Sequence, residues 1–246
     1  DVVLGTAVSW HTLTSDDLPR VIQGRYNLVA RLAQGGMGVT YRAWDDQDGV
    51  PVVIKMPRID LRNNVESQAR FLREIKAMQA VQHENIVPIL NQGIEDGCPF
   101  LVLRLLPGGS LAEHRRVDSA GNPIMMPLGL LKIWLPPIAE ALDAIHAHDM
   151  LHRDVKPGNI FLDGFMRPFL GDFGIAKVVG DAAGLSPDHT LTASHMSVGT
   201  PEYMAPELFM QKGLIDGRSD QYALAVTVFE LLAGQKPFTG TNAHII

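Results

Sequence analysis

The sequence predicts an α+β fold whose front half is rich in strands and whose rear half is mainly helical. Strands are predicted by short β-branched or apolar runs, which occupy residues 25–32, 50–56, 86–92 and 100–106. Helices are predicted by apolar residues three and four positions apart, at residues 65–81, 128–148 and 219–233. A chain of 246 residues can bury a large core, either as one domain or as two lobes.

The composition excludes several classes of protein. With 46% hydrophobic and 20% charged residues, the chain is globular rather than disordered. The net charge of −6 gives no general attraction to nucleic acid or to an anionic membrane, so any phosphate site must be local. The single cysteine, Cys98, excludes an internal disulfide and fits a reducing compartment. No apolar run approaches the roughly 20 residues of a membrane span, so we expect a cytoplasmic protein.

A glycine-rich turn lies between the first two strands of the front half. Residues 1–24, which precede it, show no clear periodicity, and we assign them no role. Gly35, Gly36 and Gly38 would let backbone N–H groups approach a phosphate, although a tight hairpin needs the same residues. No Gly-Lys-Ser or Gly-Lys-Thr follows, and a strand rather than a helix comes next. Both observations argue against the common glycine motifs of other nucleotide-binding folds.

Two charged residues of the front half are candidates for a site. Lys55 ends an apolar strand, at a place where a lysine usually only turns toward solvent. Glu74 lies beside the apolar face that Phe71, Ile75 and Met78 form on the predicted helix. A half-buried acid at that position would need a cationic partner, whereas a solvated glutamate would not.

The rear half begins with a predicted short helix at 110–117 and a loop at 118–127. The long helix at 128–148 contains Pro136 and Pro137, each of which removes a backbone hydrogen bond. We therefore expect a bent or irregular turn before the prolines and a regular helix from there onward. Two short apolar strands follow, at residues 160–162 and 168–170.

Two polar motifs in the rear half carry the chemistry. They are His-Arg-Asp-Val-Lys-Pro-Gly-Asn at residues 152–159 and Asp-Phe-Gly at residues 172–174. Asp154 can accept a proton from a hydroxyl, and Lys156 supplies positive charge where a transferring phosphoryl group needs it. Asn159 and Asp172 are hard oxygen ligands for Mg²⁺. Either motif alone could be a chance polar loop, but both in this order indicate a site for a nucleoside triphosphate.

These motifs resemble the catalytic loop and the metal-binding segment of eukaryotic-type (Hanks-type) serine/threonine protein kinases, with a bacterial pattern. The resemblance covers residues 24–246 and implies a protein-kinase-like, two-lobed α+β fold. The N-lobe, an antiparallel sheet with one helix, would span residues 25–107, and the mainly helical C-lobe would span residues 108–246. The family's C-lobe continues through further helices, so we expect the C-lobe here to be incomplete, with the apolar face of the 219–233 helix exposed.

The resemblance implies ATP and Mg²⁺ as cofactors, with Mn²⁺ as a possible substitute. Lys55 would hold the α- and β-phosphates with Glu74 as its ion-pair partner, and Asn159 and Asp172 would hold the metal. The other nucleotide contacts would come from Leu32, Gly35, Gly36, Gly38, Thr40, Val53, Leu103, Arg104, Leu106 and Phe161, with Arg104 and Leu106 acting through their backbones. Two positions depart from the family pattern, since Ala33 replaces its first glycine and Thr40 its valine.

Residues 172–207 resemble an activation segment. The segment closes with the specific motif Gly-Thr-Pro-Glu-Tyr-Met-Ala-Pro-Glu at 199–207. By resemblance, Thr200 lies near Asp154 and Lys156 and shapes the site of the acceptor hydroxyl.

The resemblance assigns further roles around this segment. Arg153 would pair with a phosphorylated residue. The candidates for phosphorylation are Thr190, Thr192, Ser194 and Ser197, with a solvated loop as the alternative for each. Asp220 would hold the backbone of the catalytic loop. Glu207 would pair with an arginine, but no arginine follows Arg218.

We therefore predict a serine/threonine protein kinase, an enzyme that transfers the γ-phosphate of ATP to protein hydroxyls and is regulated by phosphorylation of its activation segment. Lys156 and Thr200 favour serine and threonine over tyrosine as acceptors. The expected partners are protein substrates and a second copy of the chain for autophosphorylation, without nucleic acid. The alternative is a nucleotide-binding pseudokinase or scaffold, against which the intact site residues argue. A small-molecule kinase of similar fold would lack the motif at 199–207.

Overall fold

The computed structural model describes residues 21–35, 38–57, 65–95, 97–172, 201–210 and 215–238. Several predicted features lie outside these ranges: most of the segment at 1–24, Gly36, the Phe-Gly of the second motif, Thr200 and the four phosphorylation candidates. Every helix within the described ranges is too short or too polar to span a bilayer.

The front half forms a six-stranded antiparallel sheet. In chain order its strands are β1 Val21–Ile22, β2 Tyr26–Gly35, β3 Gly38–Asp45, β4 Val50–Pro57, β5 Ile89–Glu95 and β6 Cys98–Arg104. They lie side by side in the order β1-β2-β3-β4-β6-β5, and each neighbouring pair is antiparallel. The four strands predicted from apolar runs are present. The run at 86–92 begins its strand later than predicted, because Ile86 makes only an isolated bridge to Leu170.

The helix α1, Val65–Ala80, lies between β4 and β5 in the chain and was predicted from its apolar spacing. Phe71, Ile75 and Met78 are buried, as expected for the inner face of an amphipathic helix. They belong to one core cluster with Leu101 of β6, so α1 packs against the sheet.

In the described part of the rear half there are two long helices, one short helix and two small hairpins. The helices are α2 Leu128–His146, α3 Pro206–Met210 and α4 Gly217–Ala233. The hairpins pair β7 Arg116–Val117 with β8 Pro123–Ile124, and β9 Ile160–Leu162 with β10 Pro168–Leu170. Buried Ile138 and Leu142 of α2 and Leu224 of α4 share the core cluster that α1 occupies. The α+β class is confirmed, while the division near residue 107 stays a prediction.

The short helix predicted at 110–117 is wrong. Ser110 forms a β-bridge with Phe161, and the Leu111 N–H donates to the Ile160 carbonyl at 2.8 Å. Because these backbone groups bond to β9, the chain makes only turns before it enters β7.

The irregular turn expected before the two prolines of α2 is also wrong, because the helix is regular from Leu128. Pro136 and Pro137 have no N–H, so the carbonyls of Lys132 and Ile133 lose their usual helical partners. Both of these residues are exposed, and water can satisfy their carbonyls without bending the helix.

The helix α4 has a clear signal at each end. At its N-terminus the Asp216 side chain accepts a hydrogen bond from the Arg218 N–H at 2.9 Å. At its C-terminus Gly234 adopts a φ of 75°, which favours glycine. One side of the helix is open around Phe229, which is 45% exposed.

Candidate active site

His152 links the two polar motifs of the rear half. Its ring is buried, and Nδ1 accepts a hydrogen bond from the Asp154 N–H at 3.2 Å. The other nitrogen, Nε2, lies 2.9 Å from the Gly171 carbonyl, so it must carry the proton and donate it. Burial lowers the pKa of the His152 imidazole below its usual range, which keeps this single tautomer neutral. The catalytic loop is thereby held to the residue before Asp172.

Asp220, near the start of α4, holds the loop from the opposite side. Its carboxylate accepts hydrogen bonds from the backbone N–H groups of His152 and Arg153, each at 2.8 Å. His146 Nε2 also lies 2.8 Å from the same carboxylate. Arg153 has a φ of 67°, a strained conformation for a residue with a side chain. The charged hydrogen bonds offset that strain, and the predicted role of Asp220 is confirmed.

The candidate base Asp154 receives hydrogen bonds from two residues of its own loop. The Lys156 ammonium lies 2.8 Å from Asp154 Oδ2. Asn159 donates through Nδ2 to Asp154 Oδ2 at 2.8 Å and to the Asp154 carbonyl at 2.7 Å. Because Asn159 donates through its nitrogen, its Oδ1 is left as an acceptor, and no described residue donates to it. The loop therefore orients a carboxylate and presents an amide oxygen.

Lys55 and Asp172 lie 117 positions apart in the sequence and are in contact through their side chains. Lys55 comes from β4 and Asp172 follows β10, so the fold joins the sheet of the front half to the second polar motif. The sequence analysis predicted that both residues belong to one site, and the structure brings them together.

The ion pair predicted between Lys55 and Glu74 is not formed among the described residues. Glu74 is half-buried on α1, but the Lys55 ammonium contacts Asp172 instead. A lysine ammonium is a compact point charge, and here the nearer carboxylate holds it. In this conformation the prediction is wrong, and Glu74 stands outside the group of paired charges.

An apolar cluster includes Val53, two residues before Lys55, and Phe169, three residues before Asp172. Leu103, Leu106 and Phe169 are buried together, and Val53 and Phe161 pack against them half-buried. Four of these five residues were predicted to contact a nucleotide, and Phe169 was missed. An adenine ring needs such apolar walls with a few polar groups at one edge.

Of the two backbones predicted to contact the nucleotide, only that of Arg104 has its N–H bonded within the described chain. The Arg104 N–H donates to the Pro88 carbonyl at 3.2 Å, whereas the Leu106 N–H donates to no backbone carbonyl in the described part of the chain. The Arg104 guanidinium lies 5.8 Å from the centre of the Phe169 ring. Gly108 is required for close packing, because a Cβ there would lie 2.6 Å from the Asp163 carbonyl oxygen. Its role was not predicted.

The glycine-rich turn joins β2 and β3 as a hairpin. Gly35 pairs with Gly38, and Thr40 lies between Ala33 on one neighbouring strand and Lys55 on the other. Leu32, also predicted to contact the nucleotide, is 52% exposed on β2. This register places Thr40 beside Lys55, while the contact of Thr40 with a nucleotide stays a prediction.

The residues present fit a magnesium ion bound mainly by phosphate and water. Within the described ranges there is no cluster of three or more His, Cys, Asp or Glu residues that could hold a metal. Asn159 Oδ1 and the Asp172 carboxylate are two hard oxygen donors on neighbouring segments, since the Gly171 N–H donates to the Asn159 carbonyl at 2.9 Å. Mg²⁺ is typically held by one or two carboxylates together with substrate phosphates, so this donor set is sufficient.

A buried charge network was not predicted from the sequence. Glu230 of α4 is 1% exposed and accepts a hydrogen bond from the Tyr203 hydroxyl. Arg115 donates to Glu230 at 2.5 Å and to the Gly234 carbonyl at 3.2 Å. These residues come from three segments far apart in the sequence, and no spacing or motif indicates that they meet.

Glu207 was predicted to pair with an arginine. In the structure its carboxylate accepts a hydrogen bond from the Ser219 hydroxyl at 2.6 Å. Among the described residues, the hydrogen-bond partner of Glu207 is therefore a serine at the start of α4 and not an arginine.

Comparison with known proteins agrees with this geometry. A family model described as protein kinase domain matches residues 26–246. The chain is 35% identical to the DNA damage-responsive serine/threonine-protein kinase RqkA of Deinococcus radiodurans, and 37% identical to the serine/threonine-protein kinases Pkn1 of Myxococcus xanthus and PknF of Mycobacterium tuberculosis. These alignments cover 90%, 94% and 90% of this chain, but 32%, 32% and 45% of the relatives, so the chain spans less than half of their length.

A solved structure is similar over the same region. The crystal structure of the PknI kinase domain of Mycobacterium tuberculosis superposes with a TM-score of 0.66 and 27% sequence identity. The superposition covers 91% of this chain and 78% of the other.

Proposed function

Because the chain belongs to the protein kinase domain family, we propose that it transfers the γ-phosphate of ATP to serine and threonine hydroxyls of proteins. One observation carries this proposal. The Asp154 carboxylate, held by Lys156 and Asn159, belongs to the same loop that His152 ties to the segment of Asp172. Asp172 in turn contacts Lys55 from the sheet. A base, an amide oxygen, an acid and a lysine are thus linked by contacts, and an apolar cluster lies on the adjoining strands.

The apolar cluster would form the walls of the adenine site. Val53, Leu103 and Phe161 would contact the faces of the ring. The Leu106 N–H, which donates to no backbone carbonyl of the described residues, would donate to the adenine. The glycine hairpin, with Gly35, Gly36, Gly38, Thr40 and Leu32, would lie over the phosphates, as backbone N–H groups near glycine can bind anions. The carbonyl of Arg104 would accept a hydrogen bond from the adenine amino group.

Lys55 would bind the α- and β-phosphates once its contact with Asp172 is released. Asp172 and Asn159 would hold Mg²⁺, or Mn²⁺ in its place, and this ion supplies neutralisation of the phosphate charge. Glu74 would then become the ion-pair partner of Lys55. We therefore assign the present Lys55–Asp172 contact to the nucleotide-free protein.

In the reaction, the acceptor hydroxyl oxygen forms a bond to the γ-phosphorus while the bond from that phosphorus to the bridging oxygen breaks. ADP leaves with the electron pair of that bond. Asp154 orients the hydroxyl and accepts its proton, which then passes to solvent. Lys156 meets the negative charge on the transferred group. Phosphoryl transfer needs little covalent help, so positioning and charge account for most of the catalysis.

On the acceptor side, Thr200 would lie near Asp154 and Lys156 and favour serine and threonine substrates. Phosphorylation at Thr190, Thr192, Ser194 or Ser197 would give Arg153 a partner and order the segment. We propose that a second copy of the chain performs this step in the cytoplasm. An initial rate of autophosphorylation that rises with the square of the protein concentration would support it, whereas a rate proportional to concentration would contradict it.

The Asp154→Asn variant of the full-length protein tests the proposed activity. After incubation with ATP and Mg²⁺, mass spectrometry should find phosphate between residues 181 and 200 of the wild type, and in a generic basic substrate protein. The variant should lose activity by about 100-fold or more while its affinity for ATP is unchanged. Asp149→Asn is the matched control, because Asp149 is exposed and precedes the loop.

Two results would contradict the proposal. Equal labelling of wild type and Asp154→Asn would remove Asp154 from its role. A wild type that binds ATP but transfers no phosphate with either Mg²⁺ or Mn²⁺ would identify a pseudokinase.

A further inference from the structure

Lys236 contacts two residues of the short turn Pro201–Tyr203 that follows the position of Thr200. Its ammonium lies 3.0 Å from Glu202 Oε1 and 5.0 Å from the centre of the Tyr203 ring. The side chains of Lys236 and Glu202 are only 27% and 33% exposed. A partly buried ion pair is less screened by solvent than one on the open surface, so this contact can affect the charges near it.

The turn that contains Glu202 lies against the catalytic loop, because its next residue, Tyr203, lines the same small cavity as Asp154. A hydrogen bond from the backbone N–H of Glu202, and then the ammonium groups of Lys236 and Lys156, hold the pKa of the Glu202 carboxyl below its usual range, against partial burial. Lys156 is the residue whose ammonium lies 2.8 Å from Asp154. Glu202 and Asp154 are therefore two carboxylates within electrostatic range of one lysine.

Two carboxylates near one ammonium compete for it, and the competition depends on what else neutralises each of them. Asp154 has Asn159 as a further hydrogen-bond donor, and Glu202 has Lys236. If Lys236 were neutral, Lys156 would be the remaining lysine among the described residues whose charge favours the ionised form of Glu202. Its ammonium would then be drawn from the candidate base toward the turn.

We infer that Lys236 is a positioning residue for phosphoryl transfer. Its ion pair with Glu202 leaves Lys156 in its ion pair with Asp154. This inference rests on the proposed kinase activity, in which Lys156 must remain beside the base. Lys236 itself touches none of the proposed reacting groups, so its effect passes through Glu202 and Lys156.

The turn has a second anchor that does not depend on Lys236. The Tyr203 hydroxyl donates to buried Glu230, which Arg115 also contacts. Removing the Lys236 charge should therefore change the electrostatics around Glu202 without releasing the turn from α4. This separation makes the inference testable by substitution.

Four variants of the full-length protein form the test: Lys236→Met, Lys236→Arg, Glu202→Gln and the double variant Lys236→Met/Glu202→Gln. Lys236→Met should lower kcat for peptide phosphorylation about tenfold, equivalent to about 1.4 kcal/mol of transition-state stabilisation, with KM for ATP unchanged. Lys236→Arg should retain activity because it keeps the charge. The double variant should recover to the level of Glu202→Gln, because the competing carboxylate is gone. Lys132→Met, which removes an exposed lysine of α2, is the control and should match the wild type.

The double variant distinguishes this inference from a structural role. If Lys236 only braced the turn, Glu202→Gln would be as damaging as Lys236→Met, and the double variant would not recover. That result would overturn the inference, as would full activity of Lys236→Met.

A crystal structure of Lys236→Met provides a readout that does not depend on activity. The Lys156 ammonium should lie on Glu202 rather than on Asp154. If it stays within hydrogen-bond distance of Asp154, the inference fails even where wild type transfers phosphate normally. If Lys156 moved to Glu202 but the wild type transferred no phosphate, the electrostatic link would stand, whereas the proposed function and the role of Lys236 in phosphoryl transfer would both be contradicted.

Discussion

Asp45 in the front half and Asp220 in the rear half are both buried and organise their surroundings, but they lie at different distances from the site. In the front half, Asp45 accepts two hydrogen bonds from the Arg25 guanidinium, each at 2.7 Å, and one from the Gln47 N–H at 3.0 Å. Asp45 ends β3, whereas the glycine turn is at the other end of that strand. In the rear half, Asp220 holds the catalytic loop itself.

This difference indicates how the two halves contribute to the site. The rear half presents Asp154, Lys156 and Asn159 bound to one another. The front half is anchored at Asp45, about 25 Å from its glycine turn, taking about 3.4 Å per strand residue. Its proposed site residues, Lys55 and Glu74, are not paired with each other here. For the proposed reaction, the rear half would therefore be preorganised, whereas the front half would have to rearrange.

The largest effect is expected from Asp220→Asn. The carboxylate accepts the N–H groups of His152 and Arg153 with one oxygen each. An asparagine amide has only one oxygen, so one of these N–H groups would face the NH₂ group instead of an acceptor. The free energy of unfolding should fall by about 3 kcal/mol, and phosphate transfer should fall at least 100-fold because the loop is displaced. Urea denaturation and a peptide phosphorylation assay measure the two effects.

The matched control for this variant is Asp216→Ala, four residues earlier at the same helix end. It removes the N-cap hydrogen bond and should cost about 1 kcal/mol of stability with little change in kcat. If both variants lose activity equally, α4 as a whole matters rather than the contact of Asp220 with the loop.

A second prediction concerns the unpaired residues of the front half. Glu74→Gln should leave the free energy of unfolding of the nucleotide-free protein unchanged, since Glu74 makes no ion pair in the described ranges. It should nevertheless lower kcat about tenfold, because Lys55 would lose the partner that positions it in the nucleotide complex. Steady-state kinetics and urea denaturation separate these outcomes.

Lys55→Met should be more damaging, with a loss of about 100-fold or more, because that lysine would contact the phosphates themselves. Glu84→Gln, in the exposed turn after α1, is the control. Wild-type kinetics of Glu74→Gln would mean that Lys55 acts without an ion-pair partner on α1.

The difference between the two halves also explains which features the sequence could predict. Asp154, Lys156 and Asn159 lie within six consecutive residues, and a short turn brings such neighbours together, so their joint role follows from a local motif. The contact of Lys55 with Asp172 spans 117 positions, and only the resemblance to a known family placed the two residues in one site. Apolar periodicity was sufficient for the long helices and most strands.

The errors of prediction arise where tertiary contacts override local pattern. The residues at 110–117 have helical composition, but the Leu111 N–H bonds to β9 and Ser110 forms a bridge with Phe161 of the same strand. Arg115, Tyr203 and Glu230 meet only because three distant segments converge. The Lys55–Glu74 pair is a family expectation, and here a competing carboxylate replaces it.

A third prediction tests whether Asp45, which is far from the glycine turn, affects the site. Asp45→Asn should lower the free energy of unfolding by about 2 kcal/mol, because Arg25 loses its charged partner in a buried setting. Both kcat and KM for ATP should stay at wild-type values, since β3 remains paired along its length. A weaker affinity for ATP in Asp45→Asn than in the wild type would contradict the view that Asp45 acts only on stability.

The smallest effect is expected from acidification between pH 7 and pH 5, and it should appear in the rear half alone. Burial depresses the pKa of His152 in the folded protein, whereas in the unfolded chain a histidine titrates near pH 6.5. Below about pH 6.5 the unfolded state therefore binds a proton that the folded state refuses, so stability declines as the pH falls.

Asp45 behaves differently, because Arg25 holds the pKa of its carboxyl below the usual range, against burial. Its contribution is complete above the unfolded pKa of about 3.9 and is lost only below it. His152→Phe loses two hydrogen bonds and should be less stable at pH 7, yet its stability should fall less than that of the wild type on acidification to pH 5. Asp45→Asn should keep the wild-type slope. If the free energy of unfolding fell equally with pH in wild type and His152→Phe, the buried ring would not be the cause of the loss of stability in acid.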